Sequence, residues 1–283
     1  MKNVFGYPYS KTEDMPCDGA RFVTERVDPA FKSEIDSSKQ RIEEVKKKGR
    51  MPLIKLFLGG MFAPIGMYIY IRVMEMTDSM DIIAAFSVEP LLCTAFVLCM
   101  LIAAGTIVML FVTNKKAQSS PELKEANARL ASLDKNSEIM LGIPQEYEKV
   151  DVLSFEYVEK DGKVKIKDTQ SYKYLNNAMK LYKDGDMLCL ADIERVYSLP
   201  VADVKKYVLK KRKTIISGWN KETAYNEGRY IKYKLSKNDN GSINSKFCAM
   251  RCADSFGEYE LFFPEYELEH FQKLVDVPVE FDE

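Results

Sequence analysis

The chain has 283 residues, of which 46% are hydrophobic and 29% charged, and a formal net charge of −1. That length leaves room for a pair of apolar helices and one ordinary domain of ~100–200 residues. A net charge so near zero supplies no global field to attract nucleic acid. The six cysteines include two inside an apolar run, and the others would face a reducing cytoplasm, which excludes a disulfide framework.

In chain order, residues 1–29 lack a sustained period and read as an irregular tail, with Phe5, Tyr7, Tyr9, Phe22 and Val23 able to dock. Phe31, Ile35, Ile42 and Val45 then suit a polar helix running up to Gly49, completing a cytoplasmic segment 1–50. Two apolar runs follow in 51–113. Leu53–Ile71 carries Lys55 near its start and Arg72 at its end; Leu91–Val112 carries no charge and starts cleanly at Glu89-Pro90. The first run is near the roughly 20 apolar residues that cross a hydrocarbon core, and the second is above that threshold. They read as a transmembrane hairpin turning at Thr77–Asp81.

Lysines Lys46, Lys47, Lys48, Lys115 and Lys116 flank the pair, which predicts a multi-pass cell-membrane protein with both termini cytoplasmic. Small residues at every fourth position, Gly59 with Ala63 and Ala95 with Cys99 and Ala103, predict close helix packing, within the hairpin or across a homo-oligomer. Pro64 predicts a kink in the first helix.

Ser119-Ser120-Pro121-Glu122 opens a helix with Leu123, Ala126, Leu130 and Leu133 on one face, inside a linker spanning 114–144. This helix and Phe31–Val45 emerge on the same side, so their pairing as a stalk is expected. From about Gln145 the pattern is that of strands joined by tight turns: Asp161-Gly162, Asp184-Gly185, Asn238–Ser242 and Asp254–Gly257. The period then switches, with Leu268, Phe271, Leu274 and Val275 on one face of a final amphipathic helix. Repeated hairpins closed by such a helix predict an antiparallel β-barrel or bent sheet over 145–283. The fold class expected is therefore membrane-anchored α+β.

Two stretches carry a resemblance, the strand-turn-strand Asp186–Val196 and the strand entering the last helix, Gly257–Glu267. Their order resembles a pleckstrin-homology-like (PH-like) domain, and two spans followed by such a domain is similar to the YcxB-like bacterial membrane proteins. Gly218-Trp219-Asn220-Lys221 and Tyr230–Lys234 fit the same layout. The resemblance implies a module that binds lipid or protein, with no shared ligand to carry over. The loop at Lys183–Asp186 is half acidic, unlike the basic loop with which lipid-binding members hold inositol phosphates.

One basic cluster stands out: Lys205, Lys206, Lys210, Lys211, Arg212 and Lys213. Val201, Val204 and Val208 fit a short helix, yet Tyr207–Leu209 and Thr214–Ile216 fit a strand equally well. Beside an anionic leaflet the cluster is a candidate lipid contact; on a solvated face it has no special role. Cys248 and Cys252 fall on one strand face, but a structural zinc site needs four ligands and the sequence has a single histidine, His270. No phosphate loop, nucleophile elbow or metal motif appears, so neither a catalytic residue nor a cofactor is expected. The function expected is non-enzymatic, a membrane protein presenting its β domain for protein or lipid contact. The alternatives are a tethered enzyme without a recognisable motif and a subunit of a transport or envelope complex.

Overall fold

The computed structural model describes residues 2–3, 5–8, 19–48, 53–60, 65–66, 90–160, 163–166, 174–211, 213–217, 228–238 and 242–282. Residues 1–28 and 135–283 form one compact unit, and 29–134 form another.

The first unit is built on strands. Three come from the N-terminal segment, β1 (Lys2–Asn3), β2 (Phe5–Pro8) and β3 (Val23–Arg26). The others are β4 (Glu148–Lys160), β5 (Lys163–Ile166), β6 (Tyr174–Asp184), β7 (Met187–Ala191), β8 (Arg195–Pro200), β9 (Val204–Leu209) and β10 (Thr214–Ser217). They continue as β11 (Ser236–Lys237), β12 (Ile243–Ser245), β13 (Phe247–Asp254), β14 (Gly257–Pro264) and β15 (Val279–Phe281).

The main path runs β11-β12-β10-β6-β4-β14-β13-β9-β15, and β7 leads from β6 to β8. Tight turns set the register where the sequence signals them. Gly185, at φ +55°, sits in the turn joining β6 to β7, a backbone conformation open to glycine at no steric cost. The β13–β14 ladder runs without a break from Phe247↔Pro264 to Asp254↔Gly257. Its turn is closed by the Asp254 carboxylate, which accepts the Phe256 amide at 2.8 Å.

Alternation along the strands builds two cores. One face gathers Val152, Leu190, Met250, Cys252, Leu261 and Phe263, closed by Phe271 and Val275 from the final helix, Leu268–Leu274, and its end. Phe263 and Phe271 stack at 4.0 Å with 10° between their planes, which fixes the helix over the sheet. The opposite face buries Leu153, Val208, Ala249, Phe262 and Tyr266. Because β13 and β14 are covered on both sides they read as near-continuous apolar runs rather than alternating ones.

This architecture corrects the expected antiparallel PH-like barrel behind a membrane hairpin. The sheet is mixed: β10 runs parallel to β6, and β15 parallel to β9. Both parallel pairings join segments far apart in sequence, so no local turn signal announces them. The N-terminal segment contributes strands too, with Lys2 opposite Glu156, Tyr7 opposite Glu260 and Val23 opposite Tyr197.

The membrane reading is corrected as well. Among the described residues no helix is long and apolar enough to cross a membrane. In the first run helix is described at 53–60 and 65–66. The second run lies in the helix Pro90–Gln118. The finding overturns the two spans, the multi-pass cell-membrane placement with both termini cytoplasmic, and the bilayer as partner. Arg72, Thr77–Asp81, Glu89, Pro64 and Ala63 lie outside the described residues.

Within the helical unit, Pro29–Lys47 and Pro121–Met140 pair as their patterns predict. Ile42 and Val45 pack on Leu123 and Ala126, and Leu130 lies against the cluster. Lys48 bridges both Glu122 oxygens at 3.0 Å, and Glu122's pKa is lowered by that hydrogen bond and by the Lys48 charge. The small-residue contact exists but is shifted by one position. A Cβ on Gly60 would stand 3.6 Å from the Cys99 carbonyl and 3.7 Å from the Ala103 Cβ, whereas one on Gly59 would meet nothing within 4 Å. Ala103 is buried there, and Thr106, one turn on, returns its hydroxyl to the Ala103 carbonyl at 2.7 Å. The Ala95 side chain lies outside the described residues.

Candidate interaction edge on strand β9

The start of the basic cluster, Lys205 and Lys206, lies in strand rather than helix, and Lys210, Lys211 and Lys213 follow in the connection to β10. A 3-10 turn, Val201–Asp203, leads into β9, and Val204–Leu209 pairs along β13 from Cys252 to Cys248. Sheet pairing decides what period alone leaves open, because one whole side of the segment is hydrogen-bonded to β13. The register shifts between Arg251, opposite Lys206, and Cys252, opposite Val204. Lys205 is the extra residue, so a bulge turns its side chain outward. It is exposed, and its ammonium donates to the Ala202 carbonyl at 2.8 Å.

The opposite edge of β9 is taken by β15, in parallel register from Val279↔Tyr207 to Phe281↔Leu209. The Tyr207 amide donates to the Pro278 carbonyl at 2.9 Å, and the Asp282 amide to the Leu209 carbonyl at 3.1 Å. Alternation along β15 then places its acids over the lysines. Glu280 meets Lys206 at 2.7 Å and Asp282 meets Lys210 at 3.7 Å. Lys210 also lies 4.0 Å from Glu260, a nearly buried carboxylate whose main partner is Arg251 at 2.7 Å. Lys211 and Lys213 are exposed, and Arg212 lies outside the described residues. Of the six residues expected to form one basic patch, Lys206 and Lys210 are thus committed to acidic partners inside the protein.

At the bulge, Lys205, Lys206, Arg251, Cys252, Glu258 and Tyr259 help line a cavity of about 140 Å³. Its inner wall is chemically quiet. Burial pushes the Cys252 thiol well above the usual range, and the Cys248 thiol next along the strand is pushed up to about 12, again by burial first. Neither is a thiolate near neutral pH, so neither is a nucleophile. The Tyr259 phenol is raised as well, by burial first. Over its ring stands the Arg21 guanidinium, 5.1 Å from the centroid, which also pairs with Asp254.

The remaining predicted residues fall elsewhere. His270 lies on the final helix with Nδ1 3.0 Å from Glu148, whose other oxygen takes Lys273 at 2.7 Å. Nearby, the buried Tyr266 hydroxyl donates to Asp151 at 2.8 Å, and the Asp151 amide donates to buried Glu267 at 3.0 Å. Sequence reasoning missed this pair of buried carboxylates; the one signal available was acid placed inside otherwise apolar segments. Among the described residues no group of three or more His, Cys, Asp or Glu is placed to hold a metal ion. Trp219 lies outside the described residues. No family model, no curated protein and no solved structure matches the chain.

Proposed function

We propose that the strand-built unit is a non-catalytic protein-interaction module whose recognition surface is the β9 edge and the charged row beside it. One observation carries the reading: an extended segment, 276–282, is already added to that edge by backbone hydrogen bonds and by ion pairs to Lys206 and Lys210. Strand addition of this kind combines sequence-independent backbone bonding with specificity from alternate side chains. The raised thiol pKa values beside the cavity favour recognition over covalent chemistry.

A photo-crosslinking residue placed at Phe281 or Lys205 in the full chain, with Phe256 as control, tests the assignment. Phe281 and Phe256 are both strongly exposed, but Phe256 lies in the β13–β14 turn. The expected result is one shared adduct from positions 281 and 205 that is absent at 256. Equal labelling at all three positions, or none, would count against a recognition edge here.

A further inference from the structure

We infer that the partner of this edge is an extended protein segment carrying acidic residues at alternate positions, and that β15 holds its place in cis until it is displaced. The inference rests on the interaction-module reading above.

The chemistry of the missing partner is read from the segment now seated there. In β15 the side chains alternate: Val279 packs partly against the main core, Glu280 reaches Lys206, Phe281 is exposed, and Asp282 reaches Lys210. Period 2 along an added strand gives this result for any segment with acids two apart. A basic segment would set like charges against Lys206 and Lys210, so charge excludes it as firmly as it admits an acidic one.

The cis occupant leaves part of the site unused. β9 runs from Val204 to Leu209, whereas β15 pairs only with Tyr207, Val208 and Leu209. Among the described residues no strand lies beside Val204–Lys206 on that edge. At this open half stand the bulged Lys205 and the cavity of about 140 Å³, room for one acidic side chain of a longer strand. Beyond the other end, Lys211 and Lys213 are exposed without an acidic partner among the described residues. A partner strand of six residues paired along all of β9 would therefore gain the backbone groups of Val204–Lys206 and the bulged Lys205, none of which β15 uses, and a longer one would also approach Lys211 and Lys213.

Occupation in cis also makes the edge regulated. A tethered segment competes at an effective concentration that can reach the millimolar range, and the apparent affinity for a partner falls by the fraction of molecules in which the edge is open. The two surface ion pairs of β15 are of the kind that contribute little each, so displacement is within reach of a longer strand.

The test uses the full chain and a labelled peptide with the sequence of residues 276–283, followed by anisotropy. Wild type is compared with the double variant Glu280→Lys, Asp282→Lys, in which the closing strand is repelled from its own lysines. The expected result is binding about tenfold tighter by the double variant, weakened by salt and reduced severalfold when Lys206→Met is added. A peptide with both acids replaced by lysine is expected not to bind. Equal affinity of wild type and the double variant, or equal binding of the charge-reversed peptide, would overturn the inference. If these peptides fail while positions 205 and 281 still give their shared adduct, the acidic-strand inference is wrong and the module reading stands. Loss of that adduct is what removes the module reading itself.

Discussion

Tyr207 ties the β9 edge to the segment that covers it, and removing its hydroxyl is the most direct perturbation of that tie. The side chain is fully buried, its ring stands edge-on to Phe263 at 6.2 Å and 78°, and its hydroxyl donates to the Val275 carbonyl at 3.0 Å. Burial raises the phenol's pKa, so it remains a donor throughout the ordinary pH range. Tyr207→Phe keeps the ring and its packing. It removes one buried hydrogen bond, about 1 kcal/mol net, and leaves the Val275 carbonyl without that donor in a residue that is 2% exposed. Together these give about 1.5–2.5 kcal/mol. For a unit of this size that corresponds to a fall in Tm of about 3–10 °C. Val275 is the residue from which the chain turns toward β15, so the loss is expected to be uneven. Amide exchange should accelerate in Val279–Phe281 more than in β13 or β14. The measurements are urea unfolding of the full chain and hydrogen exchange by mass spectrometry. A variant within 0.5 kcal/mol of wild type, or one with uniform acceleration across the sheet, would refute the reasoning.

Two further outcomes follow from the charged groups. Arg251→Met leaves nearly buried Glu260 with only Lys210, at 4.0 Å, as a cationic partner among the described residues, and is expected to destabilise by about 3 kcal/mol, at the lower end for a broken buried pair. Adding Glu260→Met should recover most of that loss in the same urea assay; no recovery would mean the pair is not what the first substitution disturbs. Glu138 gives a pH signature: burial raises its pKa, but hydrogen bonds from Tyr147 and Lys180 and the Lys180 charge prevail and hold it below 4.5. A carboxyl with a depressed folded-state pKa adds stability that is fully present above its unfolded value. That stability is lost as pH falls through the lowered folded value. Glu138→Gln should therefore flatten the acid side of the stability profile below about pH 4.5, and an unchanged slope there would contradict the assignment.

What the sequence makes legible is local. The turns at Asp184-Gly185 and Asp254–Gly257 carry their chemistry in two to four residues, and the stalk helices carry a buried stripe in their own period, Ile35, Ser38, Ile42 and Val45. What it conceals is long-range. Lys206 and Glu280 are 74 positions apart, so a row of lysines reads as an open basic patch when part of it is already neutralised. Whether Val204–Leu209 is helix or strand is decided by β13, which is also distant in sequence. The helix contact at Gly60 rather than Gly59 differs by one residue, about 100° around the axis; spacing identifies the motif, but packing chooses which glycine faces Cys99.

The N-terminal strands have a consequence for the order in which the protein can be made. Phe5 and Tyr7 pair with Leu261 and Glu260, and Phe22 is buried in the same core as Tyr259 at a ring separation of 4.9 Å. During synthesis at about 5–20 residues per second, the first strands wait roughly 10–50 s before β14 is made. Contacts so distant in sequence slow folding, because loop closure must precede the packing that rewards it. Until then β2 has no partner strand in β14 and Phe22 has no Tyr259 ring to pack on, so the interval in which the nascent chain is most exposed to aggregation is set by residues 1–28.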